Sequence, residues 1–160
     1  MQTDFKIEQL IQENALIIAD KWHYDGIYSF YDMTADLEDY EEIVTPQLRK
    51  NNYYQVLSLD NKLIGFFMLE SIATAPNVFE IGLGLAPNLT GKGLGEKFLK
   101  TIIEYTTKNF PVNKLILDVA EFNIRAQTVY RRCGFVITKR HMQEANNSIY
   151  PFVEMTKYFK

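Results

Sequence analysis

The run Leu83, Gly84, Leu85, Ala86, Pro87, Asn88, Leu89, Thr90, Gly91, Lys92, Gly93, Leu94, Gly95, Glu96 has the residue types of an anion site. An apolar strand leads into a glycine-rich turn, and the turn opens a helix. Backbone N–H groups and the positive end of the helix dipole therefore converge on one spot. Glycines leave out the side chains that would keep a pyrophosphate from the backbone. The spacing fits neither a P-loop, in which the lysine is followed by Ser or Thr, nor the dinucleotide fingerprint with its wider glycine interval. A turn of this kind can also be purely structural, so a second group of residues matters. Asn123, Arg125, Ala126, Tyr130, Gly134 and Phe135 form a spaced set further along the chain.

Together the two sets resemble the GNAT superfamily of N-acetyltransferases. Its acetyl-CoA signature is Gln or Arg, two variable residues, Gly, one variable residue, then Gly or Ala. The matching window is Thr90, Gly91, Lys92, Gly93, Leu94, Gly95: the glycines agree, and Thr90 departs from the usual Gln or Arg. The later Asn, Arg, Ala, Tyr, Gly, Phe spacing agrees throughout. The likeness runs from about Tyr53 to the C-terminal strand and is loose over the N-terminal third.

The resemblance implies an α/β fold with a mixed, mostly antiparallel sheet, splayed at its centre and flanked by helices, and the chain length points to a single domain over residues 1–160. It implies acetyl-CoA as the acyl donor. Leu83, Gly84 and Leu85 would face the pantetheine arm and thioester. Gly91, Lys92, Gly93, Leu94, Gly95 and Glu96 would hold the pyrophosphate, and Asn123 would contact the cofactor from the other side. Tyr130 would stand near the thioester sulfur, where a phenol with an ordinary pKa of about 10 can protonate the departing thiolate. The acceptor amine must lose a proton before it attacks. Glu80 and Asp118 are the candidates to accept it, directly or through water, with Glu80 preferred because the family often carries a carboxylate there. Cys133 has no histidine nearby in sequence, and direct transfer needs no covalent intermediate, so it receives no role.

The elements that must position these groups can be read from periodicity. Ile11 to Lys21 is apolar at near-helical spacing, and a second helix is predicted from about Ala35 to Val44, capped by Asp36 and followed by Pro46. Tyr53 to Leu59 and Leu63 to Leu69 read as a hairpin turning at Asp60 and Asn61. Val78 to Leu85 follows as a strand, with Gly82 and Gly84 as points of weakening or close approach. The apolar stripe Leu94, Phe98, Leu99, Ile102, Ile103 predicts a helix from Gly93 to Thr107, ended before Pro111. Leu115 to Val119 is a short strand. Asn123 can cap a helix that runs through Cys133 and ends at Gly134. Phe135 to Thr138 and Ile149 to Phe159 close the chain as strands.

Composition limits the alternatives. With 47% apolar and 23% charged residues over 160 positions, one folded domain is expected. Met1 to Leu10 has no apolar leader, no stretch of 18 apolar residues occurs, and one cysteine allows no internal disulfide, so a cytoplasmic protein without membrane attachment is expected. His23 and His141 lack companion ligands at metal spacing, so no metal is expected. Of the 20 acids, seven (Asp25, Asp32, Asp36, Glu38, Asp39, Glu41, Glu42) lie between Trp22 and Glu42 with no Lys or Arg among them. A net charge of −3 without a basic stripe disfavours nucleic acid.

The acidic segment also carries Trp22, Tyr24, Tyr28, Phe30 and Tyr31, and in the family this part of the chain builds much of the acceptor pocket. Aromatic faces and carboxylates both attract an ammonium ion, which points to a small cationic, polyamine-like amine; a core role for the aromatics is the competing reading. The expected activity is direct transfer of the acetyl group to a primary amine of a small molecule or peptide in a ternary complex. A non-catalytic acyl-CoA-binding or sensing module is the alternative, disfavoured by the presence of Tyr130 and a carboxylate candidate. A homodimer stays open.

Overall fold

The computed structural model describes residues 4–159. Residues 1–3 and 160, the ends of the expected domain and the start of the segment read for a leader, lie outside the described residues. In chain order the elements are β1 (Phe5–Gln9), α1 (Gln12–Lys21), two 3-10 turns (Gly26–Tyr31 and Met33–Ala35), α2 (Leu37–Val44), α3 (Pro46–Arg49), β2 (Tyr53–Ser58), β3 (Leu63–Ser71) and β4 (Val78–Leu85). A 3-10 turn (Pro87–Leu89), α4 (Gly95–Asn109), β5 (Lys114–Ala120), α5 (Ile124–Arg132), β6 (Val136–Ala145) and β7 (Ser148–Tyr158) follow. The fold is α/β, with helices flanking a seven-stranded mixed sheet in the order β1-β2-β3-β4-β5-β7-β6.

The chain divides into two compact units. The first takes the described residues of Met1–Phe67 together with Leu83–Thr90 and Glu144–Ile149; the second takes Met68–Gly82, Gly91–Gln143 and the described residues of Tyr150–Lys160. In the first unit β1 pairs antiparallel with β2, from Phe5 opposite Ser58 to Gln9 opposite Tyr54. Helix α1 buries Ala15, Ile18 and Ala19 on one stripe, while Ile11 and Leu16, two apolar positions of the expected stripe, stay exposed. Asp36 caps α2 by accepting from the Asp39 N–H at 3.2 Å, as its position predicts. Pro46 does more than follow α2: it opens α3. Arg49, buried at the end of α3, donates to the Ile43 carbonyl and to Gln12 Oε1, the latter at 3.0 Å, and so ties α3 to α2 and α1. The hairpin tip between β6 and β7 is fixed in this unit, with the Asn146 N–H on Asp36 Oδ2 and its side-chain amide on the Phe30 carbonyl, each at 2.9 Å.

In the second unit α4 buries Phe98, Leu99 and Ile102, three members of the expected stripe, and β5, β7 and the α5–β6 turn bury Leu115, Met155, Val153 and Phe135. Each fully buried side chain of this size contributes about 1.5–3 kcal/mol of transfer free energy. Strand β5 pairs antiparallel with β7 along its length, from Lys114 opposite Tyr158 to Ala120 opposite Phe152. Its other edge pairs with β4 in parallel over Val78–Lys114, Phe79–Leu115 and Glu80–Ile116. Both strands run on past this last pair, so the register ends at Glu80 and leaves Ile81 and Gly82 outside it.

Candidate active site

In the first unit the end of β4 is held by its neighbours. The Ala86 N–H bonds the Ile64 carbonyl at 2.9 Å. A Cβ on Gly84 would stand 2.6 Å from Phe66 Cε1, so glycine lets the aromatic ring lie against the strand. Tyr24 donates its hydroxyl to the Leu85 carbonyl at 2.6 Å, and burial, followed by the Asp32 charge, pushes its phenol well above the ordinary tyrosine range. Thr90 spends its hydroxyl on the Pro87 carbonyl at 2.8 Å, so the residue that departs from the family signature ends the 3-10 turn.

Most of the aromatics of the acidic segment divide between core and part-exposed positions. Trp22 is buried, its ring 6.3 Å from that of Phe66, whereas Phe30 and Tyr31 are half-buried and meet edge to face at 5.2 Å. Several acids are committed to hydrogen bonds. Asp32 accepts from the Tyr24 N–H at 2.8 Å and pairs with His23 at 3.0 Å, and Glu42 accepts from the Tyr53 hydroxyl at 2.5 Å. The Asp39 carboxyl is pushed up to about 6, first by withdrawal from water although the residue as a whole remains exposed, then by the charges of Asp36, Glu42 and Glu38.

The glycine turn continues in the second unit. Gly91 and Gly93 have φ of +72° and +79°, a conformation that L side chains rarely adopt, and nothing lies within 4 Å of a Cβ on Gly93. Helix α4 begins at Gly95, two residues later than its periodicity predicts, because Gly93 is left-handed and Leu94 acts as the N-cap without a side-chain capping bond. By position, the N–H groups of Gly95 and Glu96 have no acceptor in their own helix. The Glu96 side chain turns along the helix to Lys100 at 3.0 Å, which leaves its backbone as the part available to an anion. Lys92 is exposed on the turn. The sequence marks no separate role for Arg125, yet its Nη1 lies 3.6 Å from where a Cβ on Gly91 would stand.

Asn123 caps α5, its Oδ1 accepting from the Ala126 N–H at 3.0 Å, and the residue is buried. Tyr130 is half-buried on α5, its ring 6.3 Å from that of Phe135. The helix ends one residue earlier than expected: Cys133 is its C-cap, followed by Gly134, with the Phe135 N–H returning to the Tyr130 carbonyl at 3.0 Å. Burial, then the charge of Glu96, pushes the buried Cys133 thiol up, away from a reactive thiolate.

Glu80 and Asp118 come together on one face of the sheet. Glu80 pairs with Ile116, and Asp118, two residues further along β5, shares that face and lies opposite Glu154 of β7. Burial raises the Glu80 carboxyl, and the charges of Asp118, Glu70 and Glu154 raise it further. Asp118 Oδ1 is 2.9 Å from His141 Nε2 on β6. Nothing in the sequence marks this bond, because its partners are 23 residues apart on strands that are not neighbours in the sheet. Among the described residues no group of three or more His, Cys, Asp or Glu could hold a metal, and no helix is long and apolar enough to cross a membrane.

Comparison with known proteins gives this geometry its context. Residues 17–135 match the profile of the acetyltransferase (GNAT) family. The spermidine N(1)-acetyltransferase of Vibrio cholerae is 26% identical over 111 residues, covering 68% of this chain and 64% of the relative, so the chain spans less than two thirds of that relative's length. The spermine/spermidine N(1)-acetyltransferase of Bacillus subtilis is 40% identical over 45 residues, covering 28% of this chain and 30% of the relative. Among solved structures, the spermidine N-acetyltransferase from Vibrio cholerae in complex with CoA and spermine superposes with a TM-score of 0.76 at 22% identity, covering 97% of this chain and 95% of that one. The profile match takes in both the glycine turn and α5, and the chain belongs to the acetyltransferase (GNAT) family.

Proposed function

We propose that residues 1–160 serve as one N-acetyltransferase domain that moves the acetyl group of acetyl-CoA directly to a primary amine of a small, polyamine-like molecule within a ternary complex. The observation that carries this reading is the backbone of the glycine turn. Left-handed Gly91 and Gly93 lead into α4, and nothing lies within 4 Å of a Cβ on Gly93, as a pyrophosphate cradle requires. Gly91, Lys92, Gly93, Leu94, Gly95 and Glu96 form that cradle, chiefly through backbone N–H groups. Arg125 beside Gly91 adds the positive charge that Thr90 does not. Leu83, Gly84 and Leu85 offer strand backbone to the pantetheine arm, and Asn123 contributes from the start of α5. The spermidine and spermine acetyltransferases among the relatives support a polyamine as acceptor.

The chemistry needs one base and one acid. Glu80 takes a proton from the acceptor ammonium, directly or through water, and the burial that raises its carboxyl makes it a stronger base than an exposed glutamate. The freed nitrogen lone pair forms a bond to the thioester carbonyl carbon, and the carbon–sulfur bond breaks with its electron pair on sulfur. Tyr130 protonates that thiolate, then regains a proton from the nitrogen as the amide forms. Glu80 releases its proton to solvent. The net products are the acetylated amine, CoA thiol and one proton.

Incubation with acetyl-CoA and spermidine should yield acetylated amine and free CoA in equal amounts by mass spectrometry. Initial rates with both substrates varied should give intersecting double-reciprocal lines, in wild type and in Cys133→Ser alike. Parallel lines would replace direct transfer with an acyl-enzyme, and absence of product with every amine tried would leave acyl-CoA binding as the activity.

A further inference from the structure

Three carboxylates share one face of the second unit: Glu80 on β4, Asp118 on β5 and Glu154 on β7, with Glu70 of β3 also acting on Glu80. Carboxylates at neighbouring strand positions repel one another, and the one without a hydrogen-bond donor takes up a proton most readily. The donors are unequally distributed. Asp118 has His141 Nε2 at 2.9 Å, and their side chains are only 27% and 24% exposed, so the contact is shielded more than a surface pair would be. Glu154 has the Thr138 hydroxyl at 3.4 Å. Glu70 is exposed and solvated. Among the described residues, no hydrogen-bond donor reaches the Glu80 carboxylate. The His141 ring also lies 6.2 Å from that of Phe152, a tilted contact that helps to fix its direction.

We infer that His141 is a positioning residue for proton transfer: by donating to Asp118 it holds that carboxylate in its ionised, hydrogen-bonded form, so that the proton taken from the acceptor resides on Glu80. The inference rests on the reading of Glu80 as the base. Both the Nε2–H neutral tautomer and the imidazolium can donate to Asp118, so the device does not require a charged ring. Without the donor, the Asp118 charge is no longer drawn toward a hydrogen bond and acts more strongly on Glu80, which then holds its proton more tightly and returns to the ionised, working form only at higher pH.

The test is a carbon-13 NMR titration of the Glu80 side-chain carboxyl, assigned by its loss in Glu80→Gln, alongside the pH profile of kcat. His141→Leu should move the Glu80 midpoint upward by on the order of half a pH unit or more, and the acid limb of kcat with it. His141→Gln, whose amide can donate in place of Nε2–H, should restore part of the shift. Asp118→Asn should move the midpoint downward, and in that background His141→Leu should add nothing. A Glu80 midpoint unmoved in His141→Leu, or a shift that persists in the Asp118→Asn background, overturns the role of His141. Wild-type turnover in Glu80→Gln overturns the base assignment instead, whatever the titration shows.

Discussion

At Tyr130 the proposed chemistry uses one atom, the phenolic oxygen, while the ring packs near Phe135. Tyr130→Phe keeps the ring and removes the hydroxyl, so it separates packing from proton donation. We expect turnover to fall by about ten- to a thousand-fold with acetyl-CoA affinity nearly unchanged, read by steady-state kinetics and calorimetry. A wild-type rate would assign protonation of the thiolate to water. Residue roles that depend on local chain geometry were legible in the sequence. The capping of α5 by Asn123 spans three residues, and it appears where the Asn, Arg, Ala spacing predicts it. Roles that depend on packing between elements were not. Arg125 comes near Gly91 because α5 packs on α4, and His141 meets Asp118 across an intervening strand; no spacing along the chain encodes either.

The same division holds for the elements. Helices α1, α2, α4 and α5 lie close to their periodic stretches, since an amphipathic stripe and its caps are local information. The sequence does not mark strand β1: Phe5–Gln9 alternates apolar and polar only as far as Glu8 and becomes a strand through pairing with β2, nearly fifty residues away. The sequence pattern ends β6 at Thr138, because Lys139, Arg140 and Glu144 hide an edge strand whose solvent-facing positions tolerate charge. The glycine turn was the most legible element, and it supports a direct prediction. Gly93→Ala has room for its Cβ but must take φ near +79°, a cost of about 1–2 kcal/mol, so it should lower stability while affecting acetyl-CoA affinity modestly. Gly93→Glu carries the same strain and adds a carboxylate where the pyrophosphate is proposed to lie. Its loss of affinity should exceed that of Gly93→Ala by at least about ten-fold, or 1.4 kcal/mol, in calorimetry on folded protein. Equal losses in the two variants would make the turn structural rather than a phosphate site.

Across the whole molecule the charge is small, −3, but unevenly placed: seven of the 20 acids fall between Trp22 and Glu42, where no Lys or Arg occurs. The structure separates these acids by availability. Asp32, Asp36 and Glu42 accept hydrogen bonds from Tyr24, Asp39, Asn146 and Tyr53, while Asp25, Glu38, Asp39 and Glu41 are exposed. The Asp39 carboxyl is raised first by withdrawal from water and then by repulsion from the charges of Asp36, Glu42 and Glu38. A cation with two charges relieves that repulsion more than a cation with one. Each exposed carboxylate acts weakly, and salt screens it over about 10 Å at 0.1 M, so only a modest effect can survive. We therefore expect a diamine to exceed a monoamine of equal length by on the order of ten-fold in kcat/KM, with the advantage shrinking as salt rises. The comparison requires reactive amines of similar pKa, assayed at two ionic strengths. Asp25→Asn combined with Glu38→Gln should reduce the diamine advantage without disturbing the hydrogen bonds that Asp32 and Asp36 make. An advantage that is indifferent both to salt and to these substitutions would place the recognition of the second charge elsewhere and leave the acids of this segment as solvated surface.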